Sequence, residues 1–158
     1  LLNSTCAILD MTPAQVMDNH EVFQIEIDQI RETLKVMAAY KIKPVNLPKV
    51  PIRLLSLAIR YLPTPLLQRV LKKPLAGGRG NKMPSFHIDL HSGKKDSEVD
   101  YLNGAVVRFG QKAGINTPVN KILNSILQEL TSSPELVDIY RQKPGKLLDL
   151  VRLENQRK

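Results

Sequence analysis

Residues 97–130 read SEVDYLNGAVVRFGQKAGINTPVNKILNSILQEL. Val99, Leu102, Val106, Phe109 and Ala113 recur at spacings of three and four, which sets them on one face of a helix over about 97–113. Gly114 follows where helices commonly end in a left-handed residue, a conformation that costs glycine nothing sterically. Thr117-Pro118 then starts a second helix, with a hydroxyl at the cap and a proline whose missing N–H is no loss in the first turn. Val119, Ile122, Leu123, Ile126, Leu127 and Leu130 carry its apolar stripe. The stretch encodes two helices joined by a tight turn.

The same logic extends outward. Phe23, Ile27, Ile30, Leu34 and Met37 mark a long helix over about 21–40. Thr12-Pro13, with Gln15 three residues after the threonine, has the form of a capping box, and Ser133-Pro134 is a further start signal. No segment alternates with a period of two, so the fold class is all-α. Residues 43–51, with Pro44, Pro48 and Pro51, read as an extended connection, and 75–84 as a flexible basic loop. Leu147, Leu148 and Val151 form a short helical pattern before a polar end at 154–158.

Composition narrows the function classes. The 158 residues suit one hydrophobic core, and 42% apolar with 24% charged residues is a globular balance. No apolar run approaches the roughly 20 residues of a membrane-spanning helix, so no membrane partner is expected. Cys6 is the only cysteine, which excludes a disulfide framework and favours a reducing, cytoplasmic compartment. It reads as a small core residue. Net charge is +8, and Arg53, Arg60, Arg69, Lys72, Lys73, Arg79, Lys82, Lys94 and Lys95 crowd one region. That excess suits nucleic acid, a membrane surface or small anions, with a solvated basic face as the plain alternative. At 4% aromatic residues and no Trp, a platform for stacking single-stranded nucleic acid is not expected. The apolar pattern is already running at Leu1, so the chain is expected to begin inside a helix of a longer protein.

Several residues are candidates for chemistry. Ser85 follows Pro84 at a helix start, where it caps its own helix or grips an anionic or hydroxylated ligand beside free backbone N–H groups. Glu98 opens the next helix, a position the helix dipole favours for a carboxylate. Asn3 is a neutral donor and acceptor in an apolar helix and needs a partner there. Asp100 reads as solvated, and Tyr101, Asn103 and Gly104 as packing positions. His87 and His91 stand four apart, a chelating spacing, but no third ligand is evident and no metal is expected. The glycines at 77, 78 and 80 do not follow a strand, which argues against a phosphate-cradling loop.

Three ordered blocks carry a resemblance: Met83-Pro84-Ser85-Phe86-His87-Ile88-Asp89-Leu90 with Gly93, then Ser97-Glu98-Val99-Asp100-Tyr101-Leu102-Asn103-Gly104, then Gly114-Ile115-Asn116-Thr117-Pro118-Val119-Asn120. Together they resemble the C-terminal signature of the ketopantoate reductase family, although the turn before Glu98 is one residue longer than the family's. Leu1 to Thr5 is similar to the end of the family's interdomain helix, with Asn3 as its second asparagine.

The resemblance implies a helical substrate domain similar to the C-terminal domain of 6-phosphogluconate dehydrogenase, over 1–145, with a partly flexible helical tail over 146–158. It implies an upstream Rossmann domain that binds NADPH and supplies a catalytic lysine, and reduction of 2-dehydropantoate to pantoate in pantothenate synthesis. Asn3 and Ser85 would bind substrate, Glu98 would support the lysine and contact the cofactor, and Lys82 would reach the cofactor. The chain alone would be inactive, a homodimer is compatible with this reading, and no nucleic-acid partner is expected. The rivals are a family reductase for another 2-oxo acid and a non-enzymatic basic helical module.

Overall fold

The computed structural model describes residues 2–48, 50–79, 83–93 and 98–157, with the backbone alone over 72–79. Its helices are α1 (Asn3–Leu9), α2 (Pro13–Asp18), α3 (His20–Ala39), α4 (Ile52–Tyr61), α5 (Thr64–Arg79), α6 (Ser85–His91), α7 (Val99–Lys112), α8 (Pro118–Ser132), α9 (Val137–Tyr140) and α10 (Pro144–Gln156). Among the described residues there is no strand, only an isolated bridge between Leu47 and Val50 within the proline-rich connection. Among the same described residues no helix is long and apolar enough to cross a membrane.

Helix α3 is the axis of the domain. Asn19 caps it by accepting the Val22 N–H at 3.1 Å, and Glu21 adds a carboxylate to its positive end. Its stripe buries Phe23, Ile27 and Leu34, and it packs against α2, α4, α5, α7, α8 and α10. Each such side chain contributes about 1.5–3 kcal/mol by leaving water. Arg31, on another face, donates from Nε to Ile59 O and from Nη2 to Leu62 O, both at 2.9 Å. These are carbonyls of the α4 C-terminus, where a cation is favoured, so Arg31 fixes the α4–α5 corner to α3.

The helical pair over 97–130 forms as its pattern demands. Gly114 has φ +66°, the Ile115 N–H bonds Gly110 O at 2.8 Å, and the Gly114 N–H bonds Gln111 O at 3.1 Å, a complete Schellman ending. Gly110 matters for a different reason: a Cβ there would meet Ile115 O and Thr117 Cγ2 at 2.9 Å. Thr12 and Gln15 make the expected capping box. Thr117 and Ser133, however, make no side-chain cap, and residues 134–136 form a single 3-10 turn. Cys6 is fully buried.

A further expectation fails. Residues 75–79, read as part of a loop, continue α5 as helix to Arg79. Leu67 and Leu71 anchor that helix in the core, and each further residue then adds a hydrogen bond to a turn already formed. Gly80, Asn81 and Lys82 lie outside the described residues. At the other end, α10 packs on α3 and α8 with Leu147 fully buried, and Lys121 Nζ lies 2.5 Å from Glu154 Oε1.

Candidate functional site

Helices α1, α3, α6, α7 and α8 meet around an open cavity of about 250 Å³. Its polar lining comes from Asn3, Ser4, Gln29, Thr33, Asn103 and Asn120, and its apolar lining from Ile30, Phe86, Leu102 and Val106. Ser4, Gln29, Asn103 and Asn120 form one network. Ser4 Oγ donates to Asn103 Oδ1 at 3.0 Å, and Asn103 Nδ2 donates to Asn120 Oδ1 at 3.0 Å and Gln29 Oε1 at 3.3 Å. Asn120 Nδ2 reaches Gln29 O at 2.9 Å and Glu32 Oε2 at 2.6 Å. The uncharged amides and hydroxyls therefore hold one another in place, which suits a site that must orient a ligand without reorganising.

Two buried carboxylates support this lining from behind. Glu26, fully buried, accepts from the Leu2 N–H at 2.6 Å, the Thr5 hydroxyl and Gln29 Nε2 at 2.8 Å. It thereby ties the start of α1, and so Asn3, to α3. Glu32 accepts from the Val119 and Asn120 N–H groups, each at 2.9 Å, and takes the capping role at α8 that Thr117 leaves unfilled. Burial pushes the Glu32 carboxyl up, against the backbone and side-chain donors of Asn120 and Val119 that pull it down. Both carboxylates are occupied by protein donors; neither is presented to the cavity as a reactive group.

The residues read from the sequence fall around this cavity in different ways. Asn3, half-buried in the first turn of α1, lines it directly. Ser85 is the exposed first residue of α6, next to the buried Phe86 that forms part of the wall, and α6 carries no side-chain cap. Glu98 is exposed at the head of α7, and its carbonyl accepts the N–H of the lining residue Leu102 one turn on. Lys82 lies outside the described residues. Asp100 is paired with Arg108 at 2.7 Å, and Tyr101 points to solvent at 79% exposure.

Sequence reasoning misses the middle of the network. Asn103, which reads as a packing position, is the node where Ser4, Gln29 and Asn120 meet. Gln29 and Glu32 sit on α3 among ordinary helix-surface polars, and only the burial of Glu32 sets it apart. An asparagine inside an apolar stripe, as Asn103 and Asn120 both are, is the signal that could have found it.

The fold also completes a cluster at the far end of α1. His87 Nε2 lies 2.7 Å from Asp10 Oδ1, and His91 Nε2 lies 3.9 Å from the same oxygen. The hydrogen bond from His87 holds the Asp10 carboxyl below its ordinary range, and burial holds the His91 imidazole below its own.

Comparison with known proteins agrees with this architecture. Residues 1–131 match the family described as ketopantoate reductase PanE/ApbA C terminal. The 2-dehydropantoate 2-reductase of Streptococcus pyogenes serotype M6 is 25% identical over 126 residues, covering 80% of this chain and 35% of that protein. Its namesake in Pyrobaculum aerophilum is 25% identical over 127 residues, covering 80% and 38%. The chain thus spans little more than a third of the length of these curated relatives. D-mandelate dehydrogenase bound to NADH and anilino(oxo)acetate superposes with a TM-score of 0.63 at 24% identity, over 85% of this chain and 64% of that one. A second D-mandelate dehydrogenase structure, with NADH, gives 0.62 at 25% identity over 84% and 39%. With the family's model matched over most of the chain and its helical architecture observed, this chain belongs to the ketopantoate reductase C-terminal domain family.

Proposed function

We propose that the chain is the substrate-holding half of an NADPH-dependent reductase that converts 2-dehydropantoate to pantoate in pantothenate synthesis. The observation that carries this reading is the cavity walled by Asn3, Ser4, Asn103 and Asn120 in a chain of this family. A 2-oxo acid with a hydroxyl needs neutral donors and acceptors to orient it and an apolar wall for its carbon skeleton, and the lining supplies both. The hydride would come from a nicotinamide held mainly by residues outside this chain.

In this reading Asn3 grips the substrate from the floor, while Ser85 offers a hydroxyl and the first-turn N–H groups of α6 from the rim. Glu98 stands at the head of α7, where its negative charge would favour a protonated lysine and position it as the acid. Lys82 would add a positive charge toward the cofactor. The chain by itself would bind but not turn over, and the whole protein would work in the cytoplasm.

A second reading is favoured by the apolar wall of Ile30, Phe86, Leu102 and Val106, which would also accept a bulkier 2-oxo acid. The structurally similar D-mandelate dehydrogenase binds anilino(oxo)acetate, an aromatic oxamate analogue of such an acid, with NADH. NADPH and NADH oxidation by the full-length protein, with 2-dehydropantoate beside aromatic and aliphatic 2-oxo acids, decides between them. Preference for 2-dehydropantoate with NADPH supports the first reading. Preference for another acid keeps the reductase and discards the pathway, and silence on every acid sinks both.

A further inference from the structure

His87 and His91 lie one turn apart on α6, and their rings stack with centroids 4.1 Å apart at 33°. A pair at this spacing chelates only if a third ligand reaches it from elsewhere, and Asp10, the residue that ends α1, does so. The ligating atoms of all three side chains lie within 4.8 Å of one another. Tetrahedral zinc, with bonds of about 2.0–2.1 Å, sets neighbouring ligand atoms about 3.3 Å apart. Asp10 Oδ1 lies at 2.7 Å from one imidazole Nε2 and 3.9 Å from the other. Side-chain shifts of about 0.6 Å in opposite senses would equalise the two.

The His87–Asp10 hydrogen bond now closes the cluster, and a bound ion would take its place. The side chains are 15% (His87), 29% (His91) and 31% (Asp10) exposed, so the cluster is supported by protein yet open to solvent. Arg141 Nε sits 3.3 Å from Asp10 Oδ2, the other carboxylate oxygen, which leaves Oδ1 as the donor that faces the imidazoles. The Gln142 side chain holds the Asp10 carbonyl, fixing the backbone of this left-handed residue.

We infer that Asp10, His87 and His91 form a binding site for a borderline divalent cation of the zinc type, with a fourth position left to water. Two imidazoles and one carboxylate suit zinc and its neighbours better than magnesium or calcium. On binding, His87 takes the Nδ1-protonated tautomer and turns its Nε2 lone pair to the ion. The site clips the end of α1 to α6, the two helices that also present Asn3 and Ser85, and its role is to hold them in register. It is distinct from the cavity and does not depend on the identity of the substrate.

Calorimetric titration of the purified protein with Zn²⁺ tests this, beside Mg²⁺ and the variants His91→Gln, Asp10→Asn and His20→Ala. His20 is the remaining histidine of the three, hydrogen-bonded to Gln68 on the α2–α5 side, and controls for adventitious binding. The expected result is one saturable Zn²⁺ site, no response to Mg²⁺, and affinity lost by at least about tenfold in His91→Gln and Asp10→Asn but kept in His20→Ala. Zn²⁺ should also raise the melting temperature of the native chain and not of His91→Gln. Absence of saturable binding, or binding equal in native and His91→Gln proteins with matching circular dichroism, would overturn the proposal.

Discussion

The carboxylate of Glu32 holds Asn120 twice, accepting its backbone N–H at 2.9 Å and its side-chain amide at 2.6 Å. Through the first contact α3 caps α8; through the second it orients the amide whose Oδ1 accepts from Asn103. A cap for one helix and a strut for the cavity are thus the same side chain. Glu32→Gln replaces one acceptor by an NH₂ group facing an N–H donor, and should destabilise the fold by about 1–3 kcal/mol. Urea unfolding at neutral pH reads this as a lower midpoint at constant slope. A change under about 0.5 kcal/mol would mean that the cap contributes little.

Ser85 separates function from folding. It is exposed and caps nothing, so Ser85→Ala should leave stability within about 0.5 kcal/mol of the native chain. If its hydroxyl grips the substrate, kcat/KM of the full-length enzyme should fall by roughly tenfold to a hundredfold, the worth of a hydrogen bond to a charged group. Unchanged kcat/KM would remove Ser85 from the site.

Two glycines in helices should respond in opposite ways. Gly145, in the first turn of α10, has nothing within 4 Å of a built Cβ, so Gly145→Ala should stabilise by up to about 1 kcal/mol. Gly110 faces Ile115 O and Thr117 Cγ2 at 2.9 Å, and Gly110→Ala should destabilise by about 1–3 kcal/mol despite the better helix former. Thermal melts of the two variants settle the contrast; stabilisation by both would show that the α7–α8 turn yields freely.

Acid should weaken the fold in two steps. Burial holds His91 below its ordinary 6.5, so the folded chain binds fewer protons than the unfolded one just below that pH. Its contribution is whole above pH 6.5 and is lost as pH falls through the folded value. The His87 hydrogen bond holds Asp10 below 3.8, so its contribution persists above 3.8 and is lost in stronger acid. His91→Gln should therefore flatten the upper step and, because the His91 charge also helps to hold Asp10 low, weaken the lower one to a smaller extent, measured by denaturant unfolding across a pH series. An unaltered slope between about pH 7 and 5.5 would rule out this assignment.

Elements set by local chemistry are legible in the order of residues alone. The stripe of Phe23, Ile27 and Leu34 becomes α3, Thr12 and Gln15 make their box, and Gly114 takes the left-handed ending. Where a local signal meets a tertiary competitor, it misleads. Thr117 looks like a cap but is displaced by Glu32, and Gly77 and Gly78 look like a loop but extend a helix already anchored by Leu67 and Leu71. Of the candidate site, Asn3, Ser85 and Glu98 come from motif resemblance, whereas Asn103 as a node comes only from the fold.

What the sequence determined by itself is the all-helical class, the main helix faces and the family, because each rests on spacings of a few residues or on ordered blocks along the chain. Tertiary structure alone decided which polar groups meet. Ser4 joins Asn103 across 99 positions, Glu32 joins Asn120 across 88, and His87 joins Asp10 across 77. No local pattern encodes such pairs: they form when apolar stripes have already brought the helices together, and a buried donor or acceptor must then be satisfied by whatever the packing places within reach.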